Sequence, residues 1–282
     1  MSTPVNVLVV GSNGFLGRAV TDRLRKRSSV TVYGTHRLSA AFSDSIPFDF
    51  WRDDIGPLLE QTGADTVVFV AAVETDAPTK QLKERAAHFL RMCAARRVVY
   101  LSSDAVFDGT KGSYTESDVP LPKTLYGKNL KALEQLVRGT CKAACIVRSS
   151  YLYGFSHGEL GPRLSGVRQD LLSGETVYYA EDMFKSPMEV NLAAEAVAKL
   201  ALSDYAGTVH ISGARTSVYN FYKDAMTVLD VPVTALYKNR LPADTTVPKD
   251  TSLGATLMTQ LTNVPVLGVR EALARSAGYK VG

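Results

Sequence analysis

The chain has 282 residues, 45% of them hydrophobic and 21% charged, which fits a globular protein able to bury a sizeable core and argues against a disordered or fibrous one. No apolar run approaches the roughly 18 residues of a membrane span and no secretory signal is visible, so the expectation is a protein without a membrane partner. Lys and Arg number 32 against 28 Asp and Glu, a net charge of +4. The basic residues are scattered except for Arg23-Leu24-Arg25-Lys26-Arg27, which falls where a first helix should end and complements its dipole, so no nucleic-acid partner is expected.

Val5 to Val10 is a nearly continuous apolar run. Gly11-Ser12-Asn13-Gly14-Phe15-Leu16-Gly17 follows, and Arg18 to Leu24 continues with helical periodicity. Strand, glycine turn and helix in that order form a dinucleotide cradle. Gly11 permits the tight turn, Gly14 lets backbone N–H groups approach a pyrophosphate, and Gly17 lets the helix pack on the strand. Asn13, Phe15 and Leu16 share the loop and the helix start, and with the glycines they are candidate cofactor residues.

Val30 to Tyr33 reads as a second strand, ending at Gly34-Thr35-His36-Arg37. A site selective for NAD places an acid at this tip to accept from the ribose 2′-hydroxyl. Here Arg37 stands instead, which favours a 2′-phosphate and NADP(H). Ser45 to Phe50 supplies a third strand and sets Asp49 and Phe50 near the adenine. A helix over 54–60 leads into Thr66 to Ala72, a strand buried on both faces, whose terminal Ala71 and Ala72 are small enough to let a cofactor pass. Lys80 to Ala95 carries a helical stripe.

Val98 to Leu101 is the fifth strand, and the carboxyl end of a central strand in a doubly wound sheet faces the ligand crevice, so Ser102 and Ser103 are expected there. Asp104 and Asp108 share one loop without further acids or histidines and read as turn residues. A helix runs from Tyr126 through Val137, and Ala144 to Arg148 makes a sixth strand. Beyond it come a loop-rich stretch over 151–174 with a helix at 167–172, helices at 190–202, 218–229 and 269–276, and a strand at 209–212. This alternation defines an α/β fold, a Rossmann-type doubly wound parallel sheet with a small C-terminal lobe. The expected division is residues 1–150 for the NADP-binding domain and 151–282 for a substrate-binding lobe, with segments returning to the first.

The histidines, His36, His88, His157 and His210, show no ligand spacing, and no metal site is expected; His210, inside a strand, reads as a satisfied core residue. Cys93, Cys141 and Cys145 are odd in number and lack zinc-type spacing, which fits buried thiols in a reducing, cytoplasmic compartment. The oligomeric state is left open, a homodimer included.

Taken together, the motifs resemble an extended short-chain dehydrogenase/reductase, in the branch of the dTDP-4-dehydrorhamnose reductases. The matching pieces run from Gly11–Gly17 through Asp49-Phe50, Ser102 to Gly109, Tyr126-Gly127-Lys128, Arg148 to Gly154, Ser186-Pro187, His210 to Gly213 and Asp250 to Leu253. The resemblance implies NADP(H), a nucleotide-sugar substrate and reduction of a 4-keto group. It further implies that Ser103 orients the carbonyl, that Tyr126 donates the proton, and that a lysine four residues on lowers the tyrosine pKa and holds the nicotinamide ribose; Tyr126 also counts among the candidate cofactor residues.

That lysine is missing, because Leu130 occupies the position. On a helix an offset of four lies about 40° from the tyrosine, whereas Lys128 and Lys131 lie about 200° and 140° away. Ala105 and Tyr151 also depart from the family, which often has an aromatic residue at the first position and usually a tryptophan at the second. The leading reading is an NADPH-dependent reductase of a nucleotide-linked 4-keto sugar or related ketone in a biosynthetic pathway. Two alternatives stand beside it. One is a non-catalytic NADP-binding regulatory protein, like the β subunit of methionine adenosyltransferase; the other uses the fold for cyclisation, elimination or epimerisation.

Overall fold

A computed structural model describes residues 4–38, 40–75 and 77–277. The outer ends of the two expected domains, 1–3 and 278–282, lie outside the described residues. The first half alternates as read: β1 (Val5–Val10), α1 (Phe15–Arg25), β2 (Val30–His36), β3 (Ile46–Pro47), α2 (Gly56–Thr62), β4 (Thr66–Phe69), α3 (Thr79–Cys93), β5 (Arg97–Ser103), α4 (Leu125–Thr140) and β6 (Ala144–Ser149). With the strand Gly207–Ile211 these make a seven-stranded parallel sheet. Its order is Gly207–Ile211, β6, β5, β4, β1, β2, β3. The order reverses between β1 and β4, the point at which a doubly wound sheet opens a crevice.

Period-two alternation sorts each strand's side chains between two cores. Leu8, Val10, Val67, Phe69, Val98 and Tyr100 face α2, α3 and α4, where they meet Leu59, Phe89 and Leu133. Val7, Val9, Val68 and Val99 face the other way, against Leu16, Val20 and Leu24 of α1 and the alanine-rich α6 (Val190–Ala201). Both faces are covered, which is why these strands read as continuous apolar runs.

The second half divides its packing. Helix α6, the strand Gly207–Ile211 and α8 (Thr256–Thr262) join the second of these cores. Helices α5 (Pro162–Leu172), α7 (Val218–Val228) and α9 (Val269–Ala277) build a separate cluster around Leu164, Phe221 and Leu273.

Several elements differ from expectation for identifiable reasons. The third strand shrinks to Ile46–Pro47, because proline has no N–H to continue the ladder and is tolerated only at the sheet edge. β4 leaves the ladder after Phe69, before Ala71 and Ala72. Helix α5 starts at Pro162 rather than near 167, since proline is pre-set for a first turn. Sequence periodicity gave no sign of α8, nor of the pairing of Val177–Ala180 with Leu236–Asn239. The three thiols are free and buried.

His210 is fully buried, with Nδ1 donating to the Tyr114 carbonyl at 3.1 Å and Nε2 facing Arg148 Nη1 at 3.4 Å, the pattern of a neutral ring. Burial holds its pKa down to about 4 from the usual 6.5, with Arg148 also opposing the charged form and Glu116 favouring it. Between those two pH values the unfolded chain binds the proton and the folded one does not, so stability falls as pH drops through this window. Denaturation midpoints from pH 7 to pH 4 should decline in the wild type, by an amount worth about 1–3 kcal/mol. They should decline less steeply in His210→Gln; equal slopes would refute the assignment.

Candidate functional site

The glycine turn sits at the reversal of the sheet, as its conformation demands. Gly11 has φ +92°, and a side chain there would overlap Ala71; one at Gly17 would overlap the Gly11 carbonyl. Gly14 differs, because a Cβ would meet only the Gly11 oxygen, at 3.4 Å, and would otherwise enter open space. Gly14 also caps α1 without any side-chain hydrogen bond, so the first N–H groups of the helix face that space. Gly11 N–H donates to Thr35 Oγ1 at 3.0 Å, which ties the turn to β2, and Asn13 Oδ1 accepts from Ala41 N at 2.6 Å.

A groove of about 410 Å³ brings together Gly11, Asn13, Gly14, Phe15, Leu16, Gly17, Arg37, Asp49, Phe50, Ala71 and Ala72, every candidate cofactor residue except Tyr126. Arg37 is exposed at the tip of β2. The Asp49 carboxylate is engaged by its own turn, accepting from Trp51 N at 2.9 Å, and Phe50 is buried against Phe69. Their side chains therefore shape the groove wall. An uncapped helix start, a cradle that a Cβ would fill and a basic residue at the strand tip together fit a dinucleotide phosphate chain.

Phe15, Ala71, Ala72, Leu101 and Leu152 also line a second cavity of about 590 Å³, so the two spaces adjoin along a shared wall. Ser103 and Tyr126 lie in this second cavity. Ser103 closes β5 and caps the 3₁₀ turn Asp104–Val106 by accepting from Ala105 N at 3.3 Å. Tyr126 enters α4 behind Thr124, whose hydroxyl caps the helix by accepting from Gly127 N at 3.1 Å. A side chain at Gly127 would overlap the Ala105 carbonyl oxygen, so the glycine lets α4 dock on the turn and bring the phenol to Ser103.

Tyr126 is 37% exposed, yet its hydroxyl lies near Ser103 and faces two acids, Glu74 and Asp104. Burial of that end, followed by the nearby Glu74 carboxyl, pushes its pKa up to about 12, against the lowering effect of Ser103. Leu130 is buried in the apolar core under α4, while Lys128 and Lys131 line a different groove with Thr79 and Leu121. Among the described residues no lysine of α4 reaches the cavity.

Some expectations need correction. Ser102 does not present its hydroxyl to a ligand, because it donates to Glu134 Oε1 at 2.6 Å. Asp108 is a turn residue, accepting from the Thr110 and Tyr114 hydroxyls at 2.9 and 2.5 Å. Asp104 is more than that: it is buried, its Oδ1 accepts from Ser103, and its Oδ2 accepts from Ser150, Lys185 and Thr251 at 3.0, 3.0 and 2.9 Å.

Three cavity residues gave no signal in the sequence. Lys185 comes from the short strand Phe184–Lys185, beside the Ser186-Pro187 motif, and only the fold closes its ion pair with Asp104. Arg163 stacks 3.6 Å over the Tyr151 ring. Glu74 lies just past Ala71 and Ala72, in a segment whose polar residues look like solvated loop.

Fold and site define a dinucleotide-binding α/β protein with a serine–tyrosine pair at the crevice. The RmlD substrate binding domain family matches over residues 5–278, and the chain belongs to that family, in the dTDP-4-dehydrorhamnose reductase-like branch of the extended short-chain dehydrogenases/reductases. The spore coat polysaccharide biosynthesis protein SpsK of Bacillus subtilis is 29% identical over 237 residues, 79% of this chain and 78% of the relative. The methionine adenosyltransferase 2 subunit beta of Mus musculus is 32% identical over 157 residues, 52% of this chain and 47% of the relative. A crystal structure of dTDP-4-dehydrorhamnose reductase from Bacillus anthracis in complex with NADP superposes with a TM-score of 0.81 at 20% identity, covering 98% of this chain and all of that one.

Gly14 adopts φ −68° and ψ 163°, open to any residue, so Gly14→Val should leave the melting transition within a few degrees while abolishing dinucleotide binding. Calorimetric titration and thermal melts of both forms test this. Loss of folding together with binding would make Gly14 a structural residue instead.

Proposed function

We propose that the protein is an NADPH-dependent reductase of a nucleotide-linked 4-keto sugar or a related ketone in a biosynthetic pathway. The reading rests above all on one observation, the Ser103–Tyr126 hydroxyl pair in a cavity that adjoins the dinucleotide groove. Membership of an NADP-dependent reductase-like family supports it, as do the polysaccharide-pathway name of SpsK and the NADP-bound reductase that shares the fold. The buried thiols favour a reducing compartment, and we place the protein in the cytoplasm.

The groove residues from Gly11 to Gly17 would hold the pyrophosphate, Arg37 the 2′-phosphate and Tyr126 the nicotinamide ribose. Bound NADPH would supply a hydride to the carbonyl carbon. With a ketone bound, the Ser103 hydroxyl would turn from Asp104 Oδ1, its acceptor at 3.1 Å, and with Tyr126 donate to the carbonyl oxygen, where negative charge develops. Because burial keeps the Tyr126 phenol protonated at neutral pH, it enters as an acid, the form that reduction needs. The same raised pKa leaves little tyrosinate at neutral pH to serve as the base for the reverse, oxidising step.

Retention of Ser103 and Tyr126 together favours a reductase over a purely regulatory role like that suggested by the likeness to the methionine adenosyltransferase β subunit. Loss of NADPH absorbance against a panel of nucleotide 4-keto sugars, with product analysis to reveal non-redox turnover, tests the reading. Tyr126→Phe should lower kcat by about 10²- to 10⁴-fold with NADPH affinity preserved; an unchanged kcat would remove the phenol from the chemistry. No turnover by the wild type would leave the regulatory reading.

Selectivity for the cofactor has its own test. A charge-assisted bond from Arg37 to the 2′-phosphate is worth about 1.5–3 kcal/mol, or roughly 10- to 150-fold in affinity. Arg37→Ala should erase most of the preference for NADP(H) over NAD(H) in calorimetric titrations, and equal affinities in the wild type would overturn the assignment.

A further inference from the structure

Glu74 is a carboxyl out of place. It sits on the wall of the Ser103–Tyr126 cavity, only 3% exposed, in the segment that follows Ala71 and Ala72. Tyr100, on β5, donates to its Oε1 at 2.6 Å. Among the described residues no lysine, arginine or histidine pairs with it, and a buried carboxylate without a cation is costly. Core geometry alone would be served as well by an amide, which would still accept from Tyr100.

Helix α4 holds this residue from beneath. Asn129, immediately before Leu130, sends both hydrogens of its side-chain amide into the loop, to the carbonyls of Glu74 and Ala77 at 2.9 Å each, while its Oδ1 accepts from Thr79 at 2.6 Å. The helix that carries Tyr126 thus also fixes where the carboxyl sits. Leu130, at the lysine position, joins the apolar cluster that contains Tyr100 and Val73 and brings no charge to that corner.

We propose that Glu74 is the proton source behind Tyr126, replacing by an acid the assistance that a lysine gives elsewhere in the family; this deepens the reductase reading and rests on it. As the ketone gains its hydride, its oxygen takes the Tyr126 proton. The tyrosinate left behind takes the proton of the neutral Glu74 carboxyl, and the carboxylate is recharged from solvent after product leaves. One hydride and one proton enter the product, and both side chains return to their starting forms.

The groups facing Glu74 agree with this role. Tyr100 from β5 stays protonated, its pKa raised by burial and by Glu74 itself; Tyr126 faces Glu74 from α4; Asp104 acts on Tyr126, and Glu134 on Tyr100, as further negative neighbours. Burial raises the Glu74 pKa above the ordinary carboxylate value, outweighing the Tyr100 hydrogen bond and those from the backbone of Val73 and Glu74. Burial is the influence that keeps the proton on the carboxyl, and the hydrogen bonds oppose it. Reduction should therefore fall with rising pH as Glu74 ionises, well before Tyr126 does.

Glu74→Gln preserves shape and the acceptor for Tyr100 but cannot give up a proton in this range. With NADPH and a ketone that the wild type reduces, it should lower kcat by about 10²-fold or more, leave KM and NADPH affinity within twofold, and lose the first basic limb of the pH–rate profile. Glu74→Asp should restore a limb at a shifted pH. Infrared difference titration of wild type against Glu74→Gln, with NADP⁺ bound, reads the carboxyl without turnover and should show it protonated at pH 7. A carboxyl already ionised there overturns the proposal, and so does a Glu74→Gln enzyme with the wild-type rate and profile, in which case the reductase reading stands. A wild type that reduces no ketone overturns that reading and this proposal with it.

Discussion

The bidentate ion pair between Arg148 and Glu134 is the contact on which the geometry of the site depends. Both side chains are almost fully buried, with Arg148 Nε and Nη2 donating to the two carboxylate oxygens at 2.8 and 2.7 Å. Arg148 belongs to β6 and Glu134 to α4, and the Ser102 hydroxyl on β5 donates to the same carboxylate. Helix and two central strands are thereby fixed to one another beneath the cavity. Removing one partner of such a pair costs about 3–5 kcal/mol, because the other is left charged and dry. Phe107 covers the guanidinium at 5.1 Å and His210 flanks it, which explains why a neutral histidine is favoured there.

Above that clamp the cavity separates its charges. Lys185 and Asp104 neutralise one another on the side of Ser103, within a ring of hydroxyls from Ser150 and Thr251. On the other side Glu74 and Tyr100 share a hydrogen bond, and among the described residues no cation pairs with the carboxyl. Tyr126 stands between an ion pair and an acid, and its proton is held by both burial and neighbouring negative charge.

Much of the fold was legible because two periodicities were strong. The apolar strands and the striped helices α3 and α4 fixed the doubly wound order, and the glycine spacing located the groove. Less regular parts followed constraints that a linear reading does not hold. Pro47 cut β3 short, Pro162 began α5 early, and α8 is too short for a periodic signal. Ser103 and Tyr126, named from motif and strand end, fall in one cavity. Glu74, Arg163 and Lys185 were not legible, since each becomes a cavity residue only through a partner distant in sequence: Glu74 through Tyr100, Arg163 through Tyr151, Lys185 through Asp104 and Thr251.

The docking of Gly127 on the Ala105 carbonyl bears on how the site meets a ligand. Because the approach is backbone against backbone, no rotamer or hinge separates the end of β5 from the start of α4, and the two hydroxyls share one rigid frame. A ligand arriving between them finds its acceptor positions already set. The conformational entropy of arranging Ser103 and Tyr126 was lost once, during folding, and need not be lost again at each encounter.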